Sequence, residues 1–377
     1  MAVLTGIDVL RRDDFAALKG KRIGLLTNPS AVDRDLTSTY TLLRQAPAVW
    51  LAALFSPEHG FAAVAADGEH VASSIDPRTG LPIHSLYGPT QRPTPEMLAG
   101  LDAIVVDIQD IGVRYYTFVW TLSHVLEAAG EQGVAVIVLD RPNPLGDRVA
   151  GAPLDARFAS LVGRYPVPTQ HGMTLGELAR LFNSVWNSTP APLTVIACEG
   201  YRRDMEWPET GLPFVPPSPN MPHLVTAQHY PGSCLIEGTT LSEGRGTALP
   251  FEVVGAPGLE GEPLADAVNG RGLPGVRFRP YAFKPTASKY AGDVCAGVQA
   301  HITAARAYRP LETWLVVLQE IYRQQPFEWN AHFERLMGSA DIRPLIENGS
   351  LLDQRFEQWE AFCTDFRTLR NPYLLYH

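Results

Sequence analysis

The chain has 377 residues, 45% of them hydrophobic and 19% charged, with a formal net charge of −9. That length exceeds a usual single domain, so two domains are expected, and the composition excludes a disordered chain. The acidic balance argues against a nucleic-acid partner and means that an anionic substrate needs a local cationic pocket. Lysine occurs only at Lys19, Lys21, Lys284 and Lys289, so that pocket falls to arginine, which suits bidentate carboxylate recognition.

Met1 to Leu10 lacks a basic segment followed by an apolar core and does not read as a signal peptide. The localisation stays open between cytoplasmic and an exported protein lacking its leader. No run has the length and apolarity of a membrane span, so no membrane insertion is expected. Lys21 to Leu26 reads as a strand ending in Thr27-Asn28-Pro29, and Leu36 to Arg44 as a helix. Val49 to Phe55 has the length of a buried strand and stops at Ser56-Pro57-Glu58-His59-Gly60. Proline stiffens the approach to this carboxylate and imidazole, and glycine permits a sharp exit. A carboxylate at the end of a buried strand can serve as an acid; on this segment alone, an ordinary turn with a solvated glutamate is an equal reading.

The arrangement recurs. Ala103 to Ile108 reads as a strand ending in Gln109-Asp110-Ile111-Gly112-Val113-Arg114-Tyr115-Tyr116, and Val134 to Leu139 as one ending in Asp140-Arg141-Pro142-Asn143-Pro144. Helical patterns at Thr94 to Ala99 and Thr117 to Glu131 lie between them. Alternating strands and helices predict an α/β fold with a parallel sheet and right-handed crossovers. All strand exits then share one edge, and the polar clusters converge on one crevice. Thr174 to Trp186 fits a helix and Leu193 to Cys198 a further strand. Trp207 to Pro222 is too proline-rich for a regular element, and a domain boundary is expected just after it. Beyond it come the glycine-rich Glu237-Gly238-Thr239-Thr240 and Ser242-Glu243-Gly244-Arg245-Gly246-Thr247, where the backbone can approach a ligand closely. A strand at Val276 to Tyr281 and helices at Val294 to Ala304 and Leu311 to Arg323 follow.

Acid candidates at the sheet edge are Glu58, Asp107, Asp110 and Asp140, joined by Glu237 and Glu243. Paired carboxylates are the usual equipment for glycosidic hydrolysis. No G-x-S-x-G elbow, phosphate loop or dinucleotide fingerprint occurs, so no cofactor is expected. His59, His171 and His229 lack ligand spacing and Cys198, Cys234, Cys295 and Cys363 do not cluster, so no metal is expected either and the thiols read as buried and reduced. His171 stands at the entrance of the Thr174 helix, either as a neutral imidazole at a helix N-terminus or as a hydrogen-bonded loop residue. Asp107, inside an apolar run, needs a partner, for which Arg114 or Arg141 is available. Tyr115 and Tyr116 either stack on a sugar face or belong to the core.

Leu26-Thr27-Asn28-Pro29, Phe55 to Gly60, Ser85-Leu86-Tyr87-Gly88, Asp107 to Asp110, Leu139 to Pro144, His171 to Thr174, Pro217 to Pro222 and Ser242 to Gly246 together resemble the exo-β-N-acetylmuramidases of the NamZ type, long catalogued only as a domain of unknown function. The resemblance runs from Gly6 to the C-terminus, with Asp147 and Thr240 departing from the pattern beside two motifs. It implies a Rossmann-like catalytic N-terminal domain, here 1–228, and a smaller α+β C-terminal domain, 229–377, closing the active-site cleft. It also implies release of N-acetylmuramic acid from the non-reducing ends of peptidoglycan fragments, with Glu58 as the catalytic carboxylate. His59, Asp110, Glu237 and Glu243 are the further catalytic candidates. Asp110 would orient the substrate's 2-acetamido group if that group attacks; Glu237 or Glu243 would act as nucleophile or base in a direct mechanism. Substrate contacts are expected from Asn28, Tyr87, Gln109, Arg114, Tyr116, Arg141, Asn143, His171 and Arg245, with an arginine among them reading the lactyl carboxylate. The rival reading is a muropeptide- or carbohydrate-binding sensor without catalysis.

Overall fold

A computed structural model of the chain describes residues 3–66 and 68–377. They form two compact units: one of residues 1–148, 171–222 and 368–377, the other of 149–170 and 223–367.

Among the described residues, the first unit carries a seven-stranded sheet. Its strands are β1 (Arg22–Thr27), β2 (Trp50–Ser56), β3 (Ser74–Ile75), β4 (Pro82–Ser85), β5 (Ala103–Asp107), β6 (Ala135–Leu139) and β7 (Leu193–Ile196). They stand in the order β3-β4-β2-β1-β5-β6-β7. All pairings are parallel except the edge pair β3–β4. The central strands read as apolar runs because helices cover both faces of a parallel sheet, and β5 is buried at every residue. The helices are α1 (Gly6–Arg12), α2 (Thr39–Gln45), α3 (Pro95–Leu98), α4 (Phe118–Gln132) and α5 (Leu175–Val185). Ile7, Leu10, Leu25, Leu43, Leu54, Val105 and Ile137 belong to one apolar core. Chain order reverses between β1 and β5, which is the switch point where open α/β sheets bind ligands. The register pairs Leu26 with Phe55 and Thr27 with Asp107, so these strands exit level with one another.

The second unit is α+β. Its sheet is antiparallel, with β8 (Val253–Ala256), β9 (Val276–Phe283) and β10 (Cys295–Ile302) in the order β8-β10-β9. Helices α6 (Leu224–Ser233), α7 (Gly261–Gly270), α8 (Pro310–Gln324), α9 (His332–Met337), α10 (Ile342–Glu347) and α11 (Asp353–Arg370) complete it, the last residues of α11 belonging to the first unit. Trp314 is fully buried and meets Phe278 of β9 edge to face.

Val294 to Ala304, expected as a helix, is instead the central strand β10. Packing overrides propensity here: a Cβ at Gly297 would lie 2.0 Å from the Val254 carbonyl, so glycine lets β8 close on β10. The remaining predicted elements occur within a few residues of their expected limits, and the four cysteines are buried, free thiols.

Candidate active site

In the first unit the exits of β1, β2, β5 and β6 supply the side chains. Glu58 follows β2 and is buried. Its Oε2 accepts the Thr117 hydroxyl at 2.7 Å and its Oε1 accepts the Gly68 N–H at 3.3 Å. A hydroxyl can donate to a carboxylate or accept from a carboxylic acid, so Thr117 serves either form of Glu58. His59 sits at a φ of 69°, a strained conformation for a residue with a side chain. Its Nδ1 lies 2.9 Å from the Ala65 carbonyl. A carbonyl only accepts, so Nδ1 carries the hydrogen.

Asp110 follows β5. Its Oδ2 accepts the Gly112 N–H at 2.8 Å and stands 3.4 Å from His171 Nε2. Its Oδ1 is buried and meets no hydrogen-bond donor among the described residues. His171 is fully buried, and its Nδ1 accepts the Met173 N–H at 3.2 Å. An amide N–H only donates, so Nδ1 is unprotonated and the ring hydrogen sits on Nε2, toward Asp110.

Four other polar residues of the strand exits are occupied in holding the loops. Asn28 donates to the Pro217 carbonyl at 3.1 Å and accepts the Ser30 N–H at 3.0 Å. Gln109 donates to the carbonyls of Asp110 at 2.7 Å and Pro142 at 3.0 Å. Asn143 donates to the Met173 carbonyl at 3.0 Å and accepts the Leu145 N–H at 2.9 Å. Arg141 is the partner that Asp107 needs: Nε lies 2.5 Å from Oδ1 and Nη2 2.9 Å from Oδ2. Arg141 Nη2 also reaches the Val32 carbonyl at 2.9 Å.

Asp140, an acid candidate by sequence, anchors the start of α5. It accepts the hydroxyls of Thr174 at 2.7 Å and Tyr376 at 2.6 Å and the Gly176 N–H at 2.7 Å. Burial outweighs these bonds and pushes its carboxyl up to about 6. Arg114 is fully buried, and burial pulls its guanidinium down to about 10, which leaves it a cation at neutral pH. Tyr116 is buried edge to face against Phe118, while Tyr87 is half-buried and its ring stands perpendicular to that of His70.

Glu237, Glu243 and Arg245 come together in the second unit. Arg245 Nε donates to Glu237 Oε1 at 3.0 Å and stands 3.4 Å from Glu243 Oε1. Lys289 Nζ bonds Glu243 Oε2 at 3.0 Å and the carbonyls of Ile236 and Leu241 at 2.9 Å. Burial raises the Glu237 carboxyl, but Arg245 and His332 together outweigh it and hold the group down to about 2. Glu237 is therefore an anion at working pH. The close approach allowed by Gly246 is to the chain itself, since a Cβ there would lie 2.5 Å from the Ala287 nitrogen. Among the described residues no group of three histidine, cysteine or acidic side chains is placed to hold a metal.

Sequence reasoning did not find Thr117 or the C-terminal residues Arg370 and Tyr376. Thr117 stands at a helix start like many others, and the C-terminal pair lies some 200 positions from its partners, so no local pattern marks either.

Models of the N-terminal and C-terminal domains of exo-β-N-acetylmuramidase NamZ match residues 23–225 and 228–376. The chain is 45% identical over 379 residues to the peptidoglycan β-N-acetylmuramidase NamZ of Bacillus subtilis (strain 168), covering 99% of this chain and 91% of that one. It is similar to a crystal structure of a DUF1343 family protein from Bacteroides fragilis NCTC 9343 solved at 1.65 Å, with a TM-score of 0.93 and 37% identity over 100% of this chain and 99% of the other. A second DUF1343 structure from that organism, at 1.30 Å, gives a TM-score of 0.80 and 31% identity with the same coverage.

Proposed function

The chain belongs to the exo-β-N-acetylmuramidase NamZ family, and on that premise we propose that it is an exo-acting glycoside hydrolase that releases N-acetylmuramic acid from the non-reducing ends of peptidoglycan fragments. Glu58 protonates the leaving oxygen. It is buried at the exit of β2 beside the switch point, and among the described residues its partners are a hydroxyl and an amide rather than a cation.

One observation carries the choice of second residue: the buried Oδ1 of Asp110, which no donor of the described chain satisfies. A buried acceptor needs a partner, and the N–H of the substrate's 2-acetamido group supplies one. Asp110 then orients the acetamide for attack on the anomeric carbon, with His171 Nε2 standing 3.4 Å from its other oxygen, just beyond a hydrogen bond. Glu237 is less suited to that part, being drawn into an ion pair with Arg245. The lactyl carboxylate is read by an arginine, with Arg114, Arg141 and Arg245 as candidates; two of these already neutralise Asp107 and Glu237.

The test is turnover of matched chromogenic glycosides. The N-acetylmuramic acid glycoside is expected to be cleaved, and the N-acetylglucosamine glycoside, lacking the lactyl carboxylate, to be cleaved far less efficiently. Tight binding of the muramic compound without turnover would make the protein a sensor instead, and equal cleavage of both would remove the arginine.

A further inference from the structure

The His171 loop is held from the far end of the chain. Arg370, the last residue of α11, is buried and belongs to the first unit. Its Nη1 donates to the His171 carbonyl at 3.1 Å and to the Gly172 carbonyl, and its Nη2 reaches the Asp147 carbonyl at 3.4 Å. Arg203 Nη1 donates to the same Gly172 carbonyl at 2.7 Å. Gly172 has a φ of 59°, and a Cβ there would stand 2.6 Å from Arg370 Nη1 and 2.3 Å from the Asp147 carbonyl oxygen. Only glycine lets the guanidinium in.

The carbonyl that Arg370 grips belongs to the residue whose imidazole faces Asp110. With the His171 backbone fixed on one side and its Nδ1 fixed by the Met173 N–H on the other, the ring has one tautomer and one direction. We propose that Arg370 is a positioning residue for the reaction: it sets the His171 ring, and through it the Asp110 carboxylate. Loss of its fork lets the loop turn and carries the His171 ring, whose Nε2 stands 3.4 Å from Asp110 Oδ2, out of its place beside that carboxylate. This inference rests on the reading that Asp110 takes part in turnover.

The experiment compares wild type, Arg370→Met and Arg370→Lys in the full-length chain, with two readouts. One is kcat and KM on the chromogenic muramic acid glycoside. The other is the ¹⁵N ring signals of His171, assigned by their disappearance in a His171→Gln variant and read without substrate. Arg370→Met is expected to lose about 100-fold in kcat with a smaller change in KM. Its His171 signals are expected to move off the pure Nε2–H pattern. Arg370→Lys, which keeps a cation but not the fork, is expected to fall between; it carries both readouts alone if the methionine variant does not fold. A folded variant with wild-type ring signals and kcat within about 3-fold of wild type overturns the proposal. Asp110→Asn in the same assay separates the two claims. If it turns over normally the reading of Asp110 fails, while the ring signals still decide whether Arg370 sets the His171 ring.

Discussion

Asp107 ends a buried strand and Glu58 follows one, yet their partners differ in kind. Asp107 faces the Arg141 fork and is fixed as half of an ion pair; among the described residues Glu58 forms no ion pair and can exchange a proton without breaking one. Glu58→Gln keeps the acceptor for Thr117, so the variant is expected to melt like wild type and to lose about 100- to 10,000-fold in turnover, the usual cost of removing a general acid. Near-normal activity with normal melting would sink that role. Asp110→Asn replaces one carboxylate oxygen by an N–H donor. If Oδ1 receives the acetamide N–H, kcat should fall about 100-fold while KM changes less; a variant altered only in KM would leave Asp110 a binding residue.

At the scale of elements, the start of α5 ties three segments together. Thr174 and Glu177 form a capping box, and Asp140 at the end of β6 accepts from Thr174, Gly176 and Tyr376. Because burial raises the Asp140 carboxyl from 3.8 to about 6, the folded state holds its proton more tightly than the unfolded chain. Its contribution to stability is full below the unfolded value and is lost as pH rises through about 6. Urea midpoints should therefore reveal a component that falls across this window by up to about 1.4 kcal/mol per pH unit. Asp140→Asn should remove that component; an unchanged slope would assign it elsewhere. Tyr376→Phe deletes the hydroxyl that donates to Asp140 and accepts the Cys198 N–H at 2.8 Å, and should cost about 1–3 kcal/mol of unfolding free energy.

For the whole molecule, chain order and compact units do not coincide. The C-terminal family model runs to residue 376, yet residues 368–377 pack with the first unit. Arg180 Nη1 donates to the carbonyls of Tyr373 at 2.9 Å and Leu374 at 3.1 Å, and Glu177 Oε1 accepts the Leu375 N–H at 2.7 Å. Removing residues 371–377 is accordingly expected to destabilise the first unit by more than about 2 kcal/mol. Limited proteolysis should then cut 1–148 before 223–367, and the reverse order would refute the assignment. Carboxylate-driven glycosidic cleavage needs no Lewis acid, so turnover should survive exhaustive dialysis against a chelator; loss that only added metal restores would promote His59 and His171 as ligands.

What the sequence by itself determined is local or periodic. Apolar runs of strand length, polar residues at their exits and helical spacing between them dictate a parallel sheet whose strand exits share one edge. The Phe55 to Gly60 motif points to Glu58 only through the family resemblance, since its local pattern fits a solvated turn glutamate equally well. Only the tertiary structure decided which polar residues have atoms to spare. Asn28, Gln109, Arg141 and Asn143 carry the same kinds of group as Asp110 and His171, but theirs are taken up by carbonyls, amides and a carboxylate from distant segments. Val294 to Ala304 became a strand because its neighbours demanded one. Arg370 and Tyr376 joined the first unit because buried carbonyls and a buried carboxylate must be satisfied, by whichever donor the fold brings there.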